Sequence, residues 1–150
     1  TFTPAGQPVL AGTPFATSLS HSGGQVAMLL APAPAAGVDI ECDPPRRPLS
    51  DIAEAFCTPN EQQQLSRLPA AGRETFLLRL WTRKEAVLKA FGTGLSHPPT
   101  ALDVPEDGIV ASPPALRLPD FSVGRLALPS ALAGAWALPR TLPPPRLVLC

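Results

Sequence analysis

Trp81–Leu95, WTRKEAVLKAFGTGL, is the stretch that decides the fold. Laid out at about 100° per residue, Phe76, Leu77, Leu80, Trp81, Val87, Leu88 and Phe91 share one face, the signature of an amphipathic helix packed on a core. The pattern predicts a helix over roughly 73–91, ended by Gly92 and Gly94. Glu85 and Lys89 lie just off the edge of the apolar face. Being four apart, their Cβ atoms sit about 5–6 Å from each other, so both side chains can reach one ligand beside the core. The plainer account is a solvated Glu/Lys pair contributing about 0.2–0.5 kcal/mol. Lys84 falls inside the apolar stripe. Its stem is expected to snorkel to the surface, the alternative being an ammonium that faces a ligand at the rim.

Around this helix the composition sets bounds. The 150 residues are enough for one domain with a real core and too few for two ordinary ones. Twelve basic residues balance twelve acidic ones, and no polybasic run occurs, which argues against nucleic acid or an anionic membrane as a partner. Apolar runs are interrupted by Pro or Gly before about 18 residues, so no transmembrane helix is expected, and no signal-peptide pattern opens at Thr1. A soluble cytoplasmic protein fits. Cys42, Cys57 and Cys150 lack the spacing of a zinc site or disulfide framework and read as free thiols in a reducing compartment. The 21 prolines divide the chain into short pieces.

Residues 1–18 read as loop, with a short strand at 8–10. Two strands are expected at 25–30 (QVAMLL) and 37–41 (GVDIE). A stiff proline loop, 42–48, leads to a short helix from Ser50 through Phe56. Thr58 or Asn60 starts another, reaching about Leu68, and the stretch from Pro69 to Gly72 breaks the pattern before the long helix. Beyond it, apolar or alternating runs at 101–104, 108–111, 121–128, 134–138 and 146–149 predict strands of a largely antiparallel sheet. The expected class is α+β, with one long and several short helices packed on that sheet.

Asp39 and Glu41 are two apart on a predicted strand, so both project from one face, about 6–7 Å apart. A bare D-x-E reads most simply as the solvated edge of a half-buried strand. The functional alternative is a hard divalent cation such as Mg²⁺, held by one or two carboxylates plus phosphate and water, with Glu85 as the third acid. His21, between Ser20 and Ser22 and next to Gly23-Gly24, offers imidazole, hydroxyls and accessible backbone N–H groups for a phosphate, although a lone loop histidine is usually a surface residue. His97 is placed in that category.

In this order, SHSGG, GVDIE and WTRKEAVLKAFGTGL resemble the 4′-phosphopantetheinyl transferases of the surfactin-synthetase type. The resemblance spans roughly residues 6–138, with AGQPVL preceding the first motif and GAWAL as a late strand. It implies the family fold and a transferase of the holo-[acyl-carrier-protein] synthase kind. The implied reaction moves the phosphopantetheine arm of coenzyme A to a serine of an acyl or peptidyl carrier protein, releasing adenosine 3′,5′-bisphosphate. Such carriers serve fatty acid, polyketide or nonribosomal peptide synthesis. By motif, Asp39, Glu41 and Glu85 would hold Mg²⁺, Lys89 would meet the phosphates and act on the leaving group, and Ser20 and His21 would bind coenzyme A. Glu85 or a water would accept the serine proton. Gln7 stands where the family usually has Lys, and Ser18 near a usual Asn. The surfactin type is a pseudo-dimer of two similar halves, and most of the first half is missing from this chain. The chain therefore reads as a fragment of a monomeric pseudo-dimer, self-association being required if it is whole. A remnant that binds coenzyme A or a carrier without turnover is the alternative.

Overall fold

The computed structural model describes residues 8–150, so Gln7 lies outside the described residues. The architecture is α+β. A hairpin, β1 (Ala16–Ser22) and β2 (Gln25–Ala31), turns at Gly23 and Gly24, whose φ of 57° and 76° supply the positive values a two-residue hairpin turn requires. A four-stranded antiparallel sheet follows from β3 (Gly37–Cys42), β4 (Gly108–Val110), β5 (Phe121–Arg125) and β6 (Leu132–Pro139), in the order β3-β6-β5-β4. Between β3 and β4 lie a 3-10 segment over Leu49–Ala55, helix α1 (Pro59–Ser66) and the long helix α2 (Ala70–Phe91).

Strand alternation gives the sheet two buried faces. Val123, Ala135 and Ala137 pack under Val87, Leu88 and Phe91 of α2. Val38, Trp136 and Leu138 pack on the other side with Leu29 and Ala31 of the hairpin. The first half of α2 buries Leu77, Leu78 and Leu80 against Leu49, Ala53 and Phe56. Each such large apolar side chain contributes about 1.5–3 kcal/mol on leaving water. Leu19, Val26, Met28 and Leu30 on the hairpin stay exposed.

The approach of α2 to β3 is set by one missing side chain. A Cβ at Gly37 would stand 1.8 Å from the carbonyl oxygen of Ala86 and 2.8 Å from the Ala90 nitrogen, so the helix backbone lies directly on the strand there. That contact brings Glu85 and Lys89 beside Asp39. Gly37→Ala is expected to lower stability by at least the roughly 1–3 kcal/mol typical of overpacking, because the obstacle is backbone and the helix must move as a body. Urea unfolding checks this, and an unchanged midpoint would show that α2 does not rest on Gly37.

Several expected boundaries are corrected. The long helix begins at Ala70 and not near Arg73, because Pro69 sits at its N-cap, where a proline interrupts no helical hydrogen bond, and Gly72 is absorbed into the first turn. The short helix expected from Ser50 through Phe56 is a 3-10 helix over Leu49–Ala55, its N-terminus held by Glu74, which accepts from the N–H groups of Leu49 and Ser50 at 2.8 and 3.0 Å. Segment 1–18 is not loop throughout, since β1 begins at Ala16, while the strand expected at 8–10 is a single bridge from Val9 to Ala16. Residues 101–104 form no strand because side chains take their backbone groups: Lys84 the carbonyl of Leu102, Glu61 the N–H of Val104. Nor does 146–149, where Val148 and Leu149 are exposed.

Candidate active site

The site is built where β1, β3 and α2 meet. Serines repeat every second residue in β1, so Ser18, Ser20 and Ser22 project from one face. Their hydroxyls accept from the N–H groups of Val38, Ile40 and Cys42 at 3.0, 3.1 and 3.1 Å, so side chains replace a backbone ladder between β1 and β3. Two of these hydroxyls pass their own protons on. Ser20 donates to Asp39 Oδ1 at 2.9 Å and Ser22 to Glu41 Oε2 at 3.1 Å. A hydroxyl that both accepts and donates has a fixed orientation, and that orientation aims the two carboxylates.

From α2, Lys89 Nζ donates to the same Asp39 oxygen at 2.7 Å and to the Val38 carbonyl at 3.0 Å. Asp39 is 4% exposed, and its Oδ2 is buried with no hydrogen-bond partner among the described residues. Burial pushes the Asp39 carboxyl above its usual range, against the opposing pull of Lys89 and Ser20, and Glu41 adds to the rise. Half-buried Glu85 is likewise pushed up, first by burial and then by the charge on Asp39, with Glu41 contributing and Lys89 opposing. The three carboxylates therefore sense one another across the β3–α2 seam. Among the described residues, no three His, Cys, Asp or Glu side chains are already gathered as a metal cage. The donor set still suits a hard divalent cation, because an orphaned buried oxygen and mutually repelling carboxylates are both relieved by positive charge.

A stability consequence follows for the protein held free of metal. Glu85 has a folded pKa above its ordinary 4.5, so the folded state binds its proton more tightly than the unfolded state does. Stability from this group is therefore full below pH 4.5 and is lost as pH rises through the folded pKa. Glu85→Gln removes that loss. In the presence of chelator the variant is expected to melt above wild type at pH 7, with the difference closing as pH falls toward 4.5. Calorimetry that found the variant less stable at pH 7 would count against a carboxylate under strain.

The structure separates some residues that the motifs join. Ser20 is buried at the carboxylates, whereas the exposed His21 projects from the opposite face of β1, opposite Val26 in the hairpin. Lys84 is neither snorkelled nor at a rim. It is fully buried, and its three ammonium protons go to Glu61 Oε2 at 2.7 Å and to the carbonyls of Pro99 and Leu102 at 2.7 and 2.6 Å. Its partner Glu61 belongs to none of the candidate motifs, although T-P-N-E over 58–61 carries a capping-box signal. Thr58 caps α1, and Glu61 returns a bond to its N–H at 2.8 Å. His97 packs edge-on against Phe91. The cysteines are free, and burial pushes the Cys57 thiol up to about 11, which suits a core residue and not a nucleophile. No helix among the described residues is long and apolar enough to cross a membrane.

Comparison with known proteins supplies the family. Residues 35–122, which contain β3, both helices and the start of β5, match the sequence model of the 4′-phosphopantetheinyl transferase superfamily, and the chain belongs to that superfamily. It is 38% identical over 119 residues to the 4′-phosphopantetheinyl transferase psf-1 of Bacillus pumilus, covering 77% of this chain and 48% of that protein. Over 82 residues it is 37% identical to the 4′-phosphopantetheinyl transferase AcpT of Salmonella typhi, covering 55% of this chain and 43% of that protein. The chain thus spans about half the length of these relatives, or less. A crystal structure of Thermotoga maritima holo-[acyl-carrier-protein] synthase overlaps at a TM-score of 0.49 and 20% identity, over 69% of this chain and 61% of that one, which adds nothing to the family assignment.

Proposed function

We propose that this chain carries the catalytic carboxylates of a Mg²⁺-dependent 4′-phosphopantetheinyl transferase of the surfactin-synthetase type. Its substrates are coenzyme A and the serine of an apo acyl or peptidyl carrier protein. The observation that supports this most is the state of Asp39, with one oxygen held by Lys89 and Ser20, the other buried without a hydrogen-bond partner among the described residues, and the charges of Glu41 and Glu85 acting on the same seam. Asp39, Glu41 and Glu85 would hold the cation, which when bound supplies charge neutralisation on the pyrophosphate. Phosphoryl transfer depends chiefly on positioning and charge, so the chain's own residues have defined tasks. Ser20 and Ser22 keep Asp39 and Glu41 aimed. Lys89 offers its ammonium to the phosphate oxygens and stabilises the departing adenosine 3′,5′-bisphosphate. His21 meets a phosphate of coenzyme A from the exposed face of the hairpin.

In the transfer, the carrier serine oxygen bonds to the phosphorus bearing pantetheine, the bond from that phosphorus to the bridging oxygen breaks, and the serine proton passes to Glu85. The second half of the nucleotide site is proposed to come from the rest of a longer chain or from a second copy.

The test is the protein with coenzyme A, Mg²⁺ and an apo carrier protein, followed by intact mass. Gain of one phosphopantetheine mass by the carrier, dependent on Mg²⁺, is the expected result. Coenzyme A binding by calorimetry with no transfer to any carrier would instead mark a remnant without turnover.

A further inference from the structure

On the side of α2 turned away from Asp39, a cleft of about 540 Å³ opens between α1, α2 and residues 103–106. Leu68, Phe76, Leu80 and Val104 line it, together with Arg79 and Arg83, which are four apart and so lie on the same helix face. Arg83 is only 6% exposed, and its Nε has no hydrogen-bond partner among the described residues. A buried guanidinium Nε–H without an acceptor is unfavourable, and such groups are ordinarily paired. Its acidic neighbours leave it so: Glu61, buried, is engaged by Lys84, and Glu106 and Asp107 act on it only by longer-range attraction. Glu85 lies about 200° around the helix from Arg83, so the cleft is separate from the carboxylate seam.

We propose that this cleft binds a small monocarboxylate with an apolar body, its carboxylate accepting from Arg83 with Arg79 at the lip. The guanidinium fork matches a carboxylate in a bidentate arrangement. The volume falls in the range of small-molecule sites, and the apolar walls suit a hydrocarbon body. Asp103 and Glu106 also line the cleft, which disfavours ligands of higher negative charge such as a free phosphate or a nucleotide.

The probes are hexanoate, its neutral amide hexanamide, and inorganic phosphate, with the Arg83 Nε–H resonance followed by ¹⁵N NMR. Hexanoate is expected to shift that resonance saturably, with hexanamide and phosphate at least tenfold weaker. Arg83→Met is expected to lose hexanoate binding while raising the melting temperature of the ligand-free protein, because it removes a buried Nε–H that has no acceptor among the described residues. Should Arg83→Met fold poorly, Arg79→Gln at the partly exposed lip is expected to weaken hexanoate alone, by several-fold. Equal binding of hexanamide, tighter binding of phosphate, retention of hexanoate by Arg83→Met, or no saturable shift at millimolar hexanoate would each overturn the proposal. None of these readouts uses transferase activity, so the result stands apart from the carboxylate site.

Discussion

Asp39→Asn is expected to slow phosphopantetheine transfer by about 100- to 1,000-fold, the usual cost of removing one preorganised electrostatic group from a reacting centre. The substitution is nearly isosteric, and its carbonyl oxygen can still accept from Ser20 and Lys89 as Asp39 Oδ1 does at 2.9 and 2.7 Å. The other position, now the buried and unpartnered Oδ2, becomes an amide that offers protons where the site needs an acceptor. The fold should survive, since β3 is also tied to β1 by backbone N–H groups of Val38, Ile40 and Cys42 donating to the hydroxyls of Ser18, Ser20 and Ser22, bonds that do not pass through the Asp39 carboxylate. Intact-mass kinetics on an apo carrier, with melting temperature as the control, decide the matter. A loss smaller than roughly tenfold in a folded variant would remove Asp39 from the centre.

Lys84→Met should cost about 3–5 kcal/mol of stability, the range for deleting one partner of a buried ion pair. The loss is large because three groups are stranded together: the Glu61 carboxylate and the carbonyls of Pro99 and Leu102. Against a total of roughly 5–15 kcal/mol for a typical domain, that brings the protein close to unfolding at growth temperature. Adding Glu61→Gln should recover part of the loss by removing the uncompensated charge. Recovery will be incomplete, since Glu61 also accepts from the N–H groups of Thr58 and Val104. Urea titration of the two singles and the double gives the coupling directly. Single-variant losses below about 1 kcal/mol would mean the ammonium is not confined as the structure places it.

Lys84 also marks where periodicity stops being informative. Helical periodicity places it inside the apolar stripe and favours a stem that snorkels to water over an ammonium facing a ligand at the rim, and the fold contains neither. The answer lay 23 residues upstream, in Glu61, whose local role as a capping residue gives no hint of the long-range pair. Strand β1 escaped notice for a related reason. Its inward face consists of Ser18, Ser20 and Ser22, so the period of two is written in hydroxyls, and a reading keyed to apolar alternation takes it for loop. By contrast Asp39, Glu41, Glu85 and Lys89 could be named as candidates from the sequence, not because any motif is specific alone but because SHSGG, GVDIE and WTRKEAVLKAFGTGL stand in an order that resembles the 4′-phosphopantetheinyl transferases.

The sequence by itself determined the α+β class, the long helix with its apolar face, and the acidic strand, since these depend on local periodicity and on residue spacing within one element. The tertiary structure alone decided that α2 lies directly on Gly37, that Lys89 and Ser20 share one oxygen of Asp39, and that the other oxygen and the Arg83 Nε are buried without a hydrogen-bond partner among the described residues. Each of those facts depends on two or three elements distant in the chain meeting at atomic separation. The free energy of a buried charge is set by whatever surrounds it in space, and a linear pattern does not contain that neighbourhood.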